Sequence, residues 1–245
     1  MTEGAIAIAT AARALRAAKF VVVFTGAGVS AESGIPTFRS GANALWANAD
    51  IEQFANPRGY RRRASDAWRW YARRAQVARE ARPNPAHYAI AEIERRVPDF
   101  LLVTQNIDGL HHRAGSERIL ELHGTLRRTR CFGCSRYADW PDPLGEPRCE
   151  ACGGLLRPDV VMFEEDLPPG AMERAMDAAR QCDLLLSVGT SAQVWPAAEI
   201  PHVAIRAGRP VIIVNPDMEG QPQGRTVVHV QSTAAAALPR MIEPG

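Results

Sequence analysis

Five short segments constrain this chain more than any other feature: Val21–Phe24, Phe100–Val103, Leu184–Val188, Val211–Val214 and Val227–Val230 are near-continuous apolar runs bounded by turn residues. A strand that alternates apolar and polar residues can leave one face in water. A strand that is apolar at every position must be covered on both faces, which is the condition of a parallel sheet packed between helices. Helical patterns at Ala86–Arg96 and Met172–Arg180 lie between these runs. The expected fold class is therefore α/β, a doubly wound, parallel, Rossmann-like sheet.

Two stretches break that rhythm. Residues 40–82 read as helical and are rich in arginine and tryptophan, and residues 129–156 carry prolines and four cysteines. They are expected to form a small domain beside a larger one built from residues 1–39, 83–128 and 157–245. The chain has 245 residues, is 46% hydrophobic and carries a net charge of +2, so disorder and bulk electrostatic capture of nucleic acid or membrane are not its main character. No apolar run reaches the length of a transmembrane helix. The alanine-rich start runs straight into the first apolar segment with little spare length for a presequence, so a cytoplasmic location is expected.

Cys131-x-x-Cys134 and Cys149-x-x-Cys152 are separated by fourteen residues. Two such knuckles can present four thiolates to one tetrahedral Zn²⁺, and a closed shell of four makes the metal structural rather than catalytic. The alternative, a disulfide framework, fits poorly with a chain that shows no signal peptide. Gly133, Gly153 and Gly154 suit tight turns around the metal. Cys182, alone beside an apolar run, reads as a small buried hydrophobe.

The first apolar run leads into Gly26-Ala27-Gly28-Val29-Ser30-Ala31, a GxGxxA turn whose backbone N–H groups can approach a pyrophosphate. By itself this is a weak signal. Its continuation, Glu32-Ser33-Gly34-Ile35-Pro36-Thr37-Phe38-Arg39, is followed in order by Thr104-Gln105-Asn106-Ile107-Asp108-Gly109-Leu110-His111, Leu120-Glu121-Leu122-His123-Gly124, Gly189-Thr190-Ser191 and Val214-Asn215-Pro216. Together with the cysteine quartet, this ordered set resembles the sirtuins, the NAD-dependent protein deacylases, over essentially the whole chain.

The resemblance implies a site as well as an activity. NAD⁺ would be a cosubstrate held by Gly26, Ala27, Gly28, Ala31, Glu32, Pro36, Thr37, Phe38, Arg39, Gln105, Asn106, Ile107, Asp108, Gly189, Thr190, Ser191, Asn215, Pro216, Asp217 and Ala234. Phe38 would cover the nicotinamide end, and Asn106 and Asp108 would orient ribose and amide. His123 would take a proton from a ribose hydroxyl, work that suits an imidazole near neutral pKa. The segment Val160-Val161-Met162-Phe163-Glu164-Glu165 resembles the family strand that pairs with the substrate backbone, with Val160, Val161 and Phe163 as substrate contacts. Here Glu164 replaces the family's glycine, which puts local geometry in doubt but not binding by strand addition, since that uses main-chain hydrogen bonds.

Tyr71 and Arg74, three residues apart, share a helix face and would offer a hydroxyl and a guanidinium fork to a carboxylate. A Tyr-x-x-Arg pair is similarly placed in class III sirtuins, which act on succinyl- and malonyl-lysine. The implied reaction is removal of succinyl and malonyl groups, and acetyl groups less well, giving nicotinamide, O-acyl-ADP-ribose and free lysine. ADP-ribosyl transfer from the same site is the alternative. Acyl-lysine proteins or peptides are the expected partners, with no specific nucleic acid and no membrane; the sequence leaves the oligomeric state open, with a monomer favoured.

Overall fold

The computed structural model describes residues 2–36, 53–141 and 147–243. Thr37, Phe38 and Arg39, and the first part of the expected helical insertion, lie outside the described residues.

The large sheet holds six parallel strands: β1 (Phe20–Thr25), β2 (Asp99–Thr104), β3 (Ile119–Glu121), β7 (Leu184–Val188), β8 (Val211–Asn215) and β9 (Val227–Gln231). Their order is β3-β2-β1-β7-β8-β9. The strand order reverses between β1 and β7, and the crevice above such a switch point is where open α/β sheets bind ligands. Every apolar run of the sequence became one of these strands, and β3 is the addition.

Alternation along each strand divides the runs between two cores. Val21, Val23, Leu102, Leu184, Leu186, Ile212 and Val214 face α1 (Glu3–Ala17), α4 (Pro85–Arg96) and α8 (Ala234–Ile242). Val22, Phe24, Leu101, Val103, Leu185, Val211 and Ile213 face α6 (Ala171–Gln181) and α7 (Glu199–Arg206). Each such side chain contributes about 1.5–3 kcal/mol on full burial. That double coverage is why the runs are apolar at consecutive positions rather than alternate ones. Cys182 is fully buried in the second core, as its setting suggested.

The small sheet is antiparallel, β5-β4-β6, formed by β4 (Gly124–Cys131), β5 (Tyr137–Ala138) and β6 (Leu156–Val160). Helices α2 (Pro57–Arg62) and α3 (Ala64–Glu80) bury Tyr60, Ala67, Tyr71, Ala75 and Ala78 against Leu126, Val160 and Met162 of this unit. Strand β4 spans the expected boundary at position 128, with a bulge between Thr125 and Thr129 in its pairing with β6, and its first residue, Gly124, directly follows His123. The small unit therefore begins at the edge of the functional cleft. No helix among the described residues is long and apolar enough to cross a membrane.

Candidate functional site

The carboxyl ends of β1, β2, β7 and β8 open into one cleft of ≈ 1400 Å³, large enough for a dinucleotide and part of a second ligand. Every described residue assigned above to cofactor, substrate or proton transfer lines this cleft, from Gly26 at one end to Ala234 at the other. Only the four cysteines lie elsewhere.

The glycine turn is set by backbone contact. Gly28 N–H donates to Gly189 O at 2.8 Å, and a Cβ on Gly28 would stand 2.7 Å from that same oxygen. Gly189 itself has φ +61°, and a Cβ there would meet Val29 N at 2.4 Å. The two loops therefore touch through main chain alone, which keeps their edges free to face a ligand.

From β2 the chain enters Gln105–Asp108, just ahead of the short helix α5 (Leu110–Arg113). The Asn106 side chain donates to Gly26 O at 3.0 Å and to Ser30 Oγ at 3.3 Å, and Gln105 donates to Thr190 Oγ1 at 3.1 Å. Ser30 in turn donates to Asp108 Oδ2 at 2.7 Å, while Leu110 N–H donates to Oδ1 at 2.8 Å. Burial raises the pKa of Asp108, and the Leu110 N–H and the Ser30 hydroxyl oppose that rise. Ser30 thus joins the glycine loop to both Asn106 and Asp108, a role the sequence reading did not assign.

Asn215 donates to Thr190 O at 3.4 Å and to Asp217 O at 2.7 Å, and buried Gln221 adds a second bond to Thr190 O, at 2.8 Å. Glu32 accepts from Thr233 Oγ1 and Ala235 N–H, both at 3.1 Å, and so ties the glycine loop to the start of α8 beside Ala234.

His123 stands at the junction of the two units. Its Nδ1 lies 3.1 Å from Gln105 O. A carbonyl only accepts, so Nδ1 carries the proton and Nε2 is left as a base. Burial lowers the imidazole pKa, and the Gln105 carbonyl opposes that shift. The next residue, Gly124, has φ +73°, and a Cβ there would meet Asp159 O at 2.2 Å, so only glycine permits the turn that presents His123.

On the opposite wall, Tyr71 is fully buried and Arg74 is half-buried, both projecting from α3. The Arg74 guanidinium stacks on Trp70 with Cζ 3.2 Å from the ring centroid, and Nη1 donates to Trp70 O at 3.2 Å. Burial raises the Tyr71 pKa, with Arg157 and Arg74 acting against it, so the phenol stays protonated and can donate.

The expected substrate strand is shorter than its sequence suggests. Strand β6 ends at Val160, and residues 161–165 turn, with Val161 N–H on His123 O and Phe163 N–H on Ala55 O. Glu164 sits in this turn at φ +70°, a left-handed conformation that costs a side-chain-bearing residue about 1–2 kcal/mol. Glu164 is exposed, so Glu164→Gly is expected to stabilise the protein by about 0.5–1 kcal/mol, read as a higher denaturation midpoint at unchanged slope. An unchanged midpoint would show that the Glu164 side chain offsets the strain.

The four cysteine sulfurs all lie within 4.8 Å of one another, with Cys131–Cys152 at 3.5 Å and Cys134–Cys149 at 3.7 Å. These separations are far beyond a disulfide bond and close to the roughly 3.8 Å edge of a tetrahedron with Zn–S of about 2.3 Å. N–H groups of Cys134 and Gly133 lower the Cys131 thiol to about 7, which favours thiolate. A Cβ on Gly154 would come within 2.9 Å of Cys131 Sγ, so this turn also needs glycine. The donor set fits one structural Zn²⁺. Metal analysis is expected to find one zinc per chain, and chelation is expected to lower the melting temperature; folded, metal-free protein with four intact thiols would contradict this.

A dinucleotide-type sheet, a cleft at its switch point and a four-thiolate module define a two-part, nucleotide-binding class of protein. The Sir2 family model matches residues 26–196. An NAD-dependent protein deacylase of Thermus thermophilus is 50% identical over 212 residues, covering 84% of this chain and 83% of that protein. NAD-dependent protein deacylase 2 of Pyrobaculum aerophilum is 46% identical over 234 residues, covering 94% and 92%. Among solved structures, a Sir2 homologue–NAD complex superposes with TM-score 0.87 at 38% identity, covering 95% of this chain and 91% of that one. A Sir2–p53 peptide–NAD⁺ complex superposes with TM-score 0.83 at 28% identity, covering 94% and 95%. The chain belongs to the Sir2 family.

Proposed function

We propose that this chain is an NAD-dependent protein-lysine deacylase that prefers succinyl- and malonyl-lysine to acetyl-lysine. The deacylase names of its relatives support the activity. One observation supports the acyl preference: Tyr71 and Arg74 line the same cleft as His123 and the glycine loop, where they would serve as a carboxylate receptor.

NAD⁺ would supply an electrophilic ribose carbon and the ribose hydroxyls that finally carry the acyl group. Gly26, Ala27, Gly28, Gly189, Thr190 and Ser191 would hold its phosphates and adjoining ribose, with Asn215–Asp217 and Ala234 on the adenosine side. Asn106 and Asp108, braced by Ser30, would orient the reacting ribose. His123 Nε2 would accept the proton of a ribose hydroxyl, its Nδ1–H fixed on Gln105 O. With one water consumed to free the amine from the acyl carbon, nicotinamide, the acylated ADP-ribose and free lysine would leave.

A peptide would lie along residues 160–163, between the six-stranded sheet and the small unit. Two main-chain N–H groups of that segment, those of Val161 and Phe163, are engaged within the chain, so added-strand pairing would use its other main-chain groups. A panel of acetyl-, malonyl- and succinyl-lysine peptides, each with and without NAD⁺, tests the reading. NAD-dependent turnover with succinyl and malonyl ahead of acetyl is expected. Acetyl preference would overturn the specificity, and label retained on protein from radioactive NAD⁺ without deacylation would favour ADP-ribosyl transfer.

A further inference from the structure

Arg157, in β6, is the most deeply buried cation among the described residues, 1% exposed. Its guanidinium forms a two-pronged ion pair with Glu165, with Nη2 2.7 Å from Oε2 and Nη1 on Oε1. Nη2 also donates to Val160 O at 2.5 Å, and Nε donates to Pro158 O at 3.3 Å. Glu165 Oε2 accepts the Met162 N–H at 2.9 Å, and Glu165 N–H returns to Met162 O at 3.1 Å. One guanidinium–carboxylate pair thus closes the 161–165 turn on the end of β6. Arg130 Nη2 lies 3.8 Å from Oε2 of the same carboxylate.

The other side of Arg157 faces the cysteine module. Its Cζ lies 4.8 Å from the ring centroid of Phe132, which sits between the ligands Cys131 and Cys134. Phe132 is pinned by its N–H to Leu155 O at 2.9 Å and by the Tyr60 ring at 5.5 Å. A continuous packed path therefore runs from the thiolate knuckle through Phe132 and Arg157 to Glu165 and the turn that forms one wall of the cleft.

We propose that the Arg157–Glu165 ion pair is a positioning device that transmits the order of the cysteine module to the acyl-peptide wall of the cleft. It gives the module a part in substrate recognition without any metal contact to substrate. The inference rests on the deacylase reading for its substrate, while its structural half stands apart from it. Replacing the carboxylate leaves a buried guanidinium unpaired and releases the Met162 N–H, so the 161–165 turn loosens. The cofactor loops at Gly26–Ser30 and Gln105–Asp108 share none of these bonds.

Two measurements on the full zinc-loaded chain test this. In steady-state kinetics with a succinyl-lysine peptide, Glu165→Gln is expected to raise the peptide KM about tenfold or more while the NAD⁺ KM stays within about twofold. Glu165→Asp, which keeps the charge, should recover part of the loss. Should Glu165→Gln fail to fold, the double variant Arg157→Met with Glu165→Met, which replaces the pair by apolar side chains, is expected to fold and show the same peptide-specific defect. In hydrogen exchange, Glu165→Gln and, separately, zinc chelation of the wild-type chain are each expected to speed exchange in residues 161–166 more than in residues 26–31. Equal rises in both KM values, or no change in either, would overturn the proposal, as would uniform exchange. If the wild type turns over no acyl peptide, the deacylase reading falls, and the exchange experiment still decides the brace.

Discussion

Arg74→Met is expected to cut kcat/KM for succinyl- and malonyl-lysine peptides by about 30-fold or more while sparing or improving acetyl-lysine turnover. A succinyl group would bring its carboxylate to Arg74, and removing that partner would leave the charge unpaired, a loss of about 2–5 kcal/mol. At about 1.4 kcal/mol per decade this spans roughly 30- to several-thousand-fold. The half-buried setting of Arg74 places the effect toward the lower end, because water screens what the guanidinium no longer neutralises. Arg74 also stacks on Trp70, and losing that contact weakens the helix surface by about 0.5–1 kcal/mol for every substrate alike. The ratio of succinyl to acetyl rates is therefore the discriminating quantity. Tyr71→Phe removes one hydroxyl from a fully buried ring and should shift the ratio the same way by about 1 kcal/mol. Equal losses on both peptides would assign the pair to packing instead of selectivity.

His123→Ala is expected to lower kcat by about 10²–10⁴-fold with NAD⁺ affinity and fold retained. The imidazole is held by one bond to Gln105 O and packs at the cleft wall, so its removal takes away a base without cutting the bonds that join the cofactor loops. Substantial turnover by folded His123→Ala protein would remove it from proton transfer. The pH profile offers an independent check. The base must be neutral, and burial lowers its pKa below the ordinary imidazole value. Activity should hold through neutral pH and fall only on the acid side of the usual imidazole range, near pH 6.5 for an unperturbed side chain. An acid limb centred above that value would point to a different group.

Much of this molecule was legible in one dimension because its signals are local. A run such as Leu184–Val188 has no stable place except a strand covered twice, and the two cores that divide it by alternate residues are the geometric consequence. The CxxC pairs worked the same way: a knuckle's bite is set by its spacing, and the sulfurs converge as that spacing requires. Glu164 at a turn normally served by glycine was visible as a departure, and its left-handed φ shows what the departure costs.

Long-range relations were not legible. No spacing indicates that Ser30 spans to Asp108 across 78 positions, or that Gln221 completes the bonds on Thr190 O. The segment after Val160 was expected as strand from its resemblance to the family's substrate strand, yet it turns, and the Arg157–Glu165 ion pair braces that turn. Strand order, the crevice between β1 and β7, and the meeting of α3 with His123 across one cleft come from how the elements pack. The sequence by itself determined the five apolar strands, the helices at 86–96 and 172–180 and the thiolate set, since these follow from covalent neighbours and burial pattern. Only the tertiary structure decided which distant polar groups meet, because hydrogen bonds and ion pairs across the cleft depend on backbone positions that no local pattern encodes.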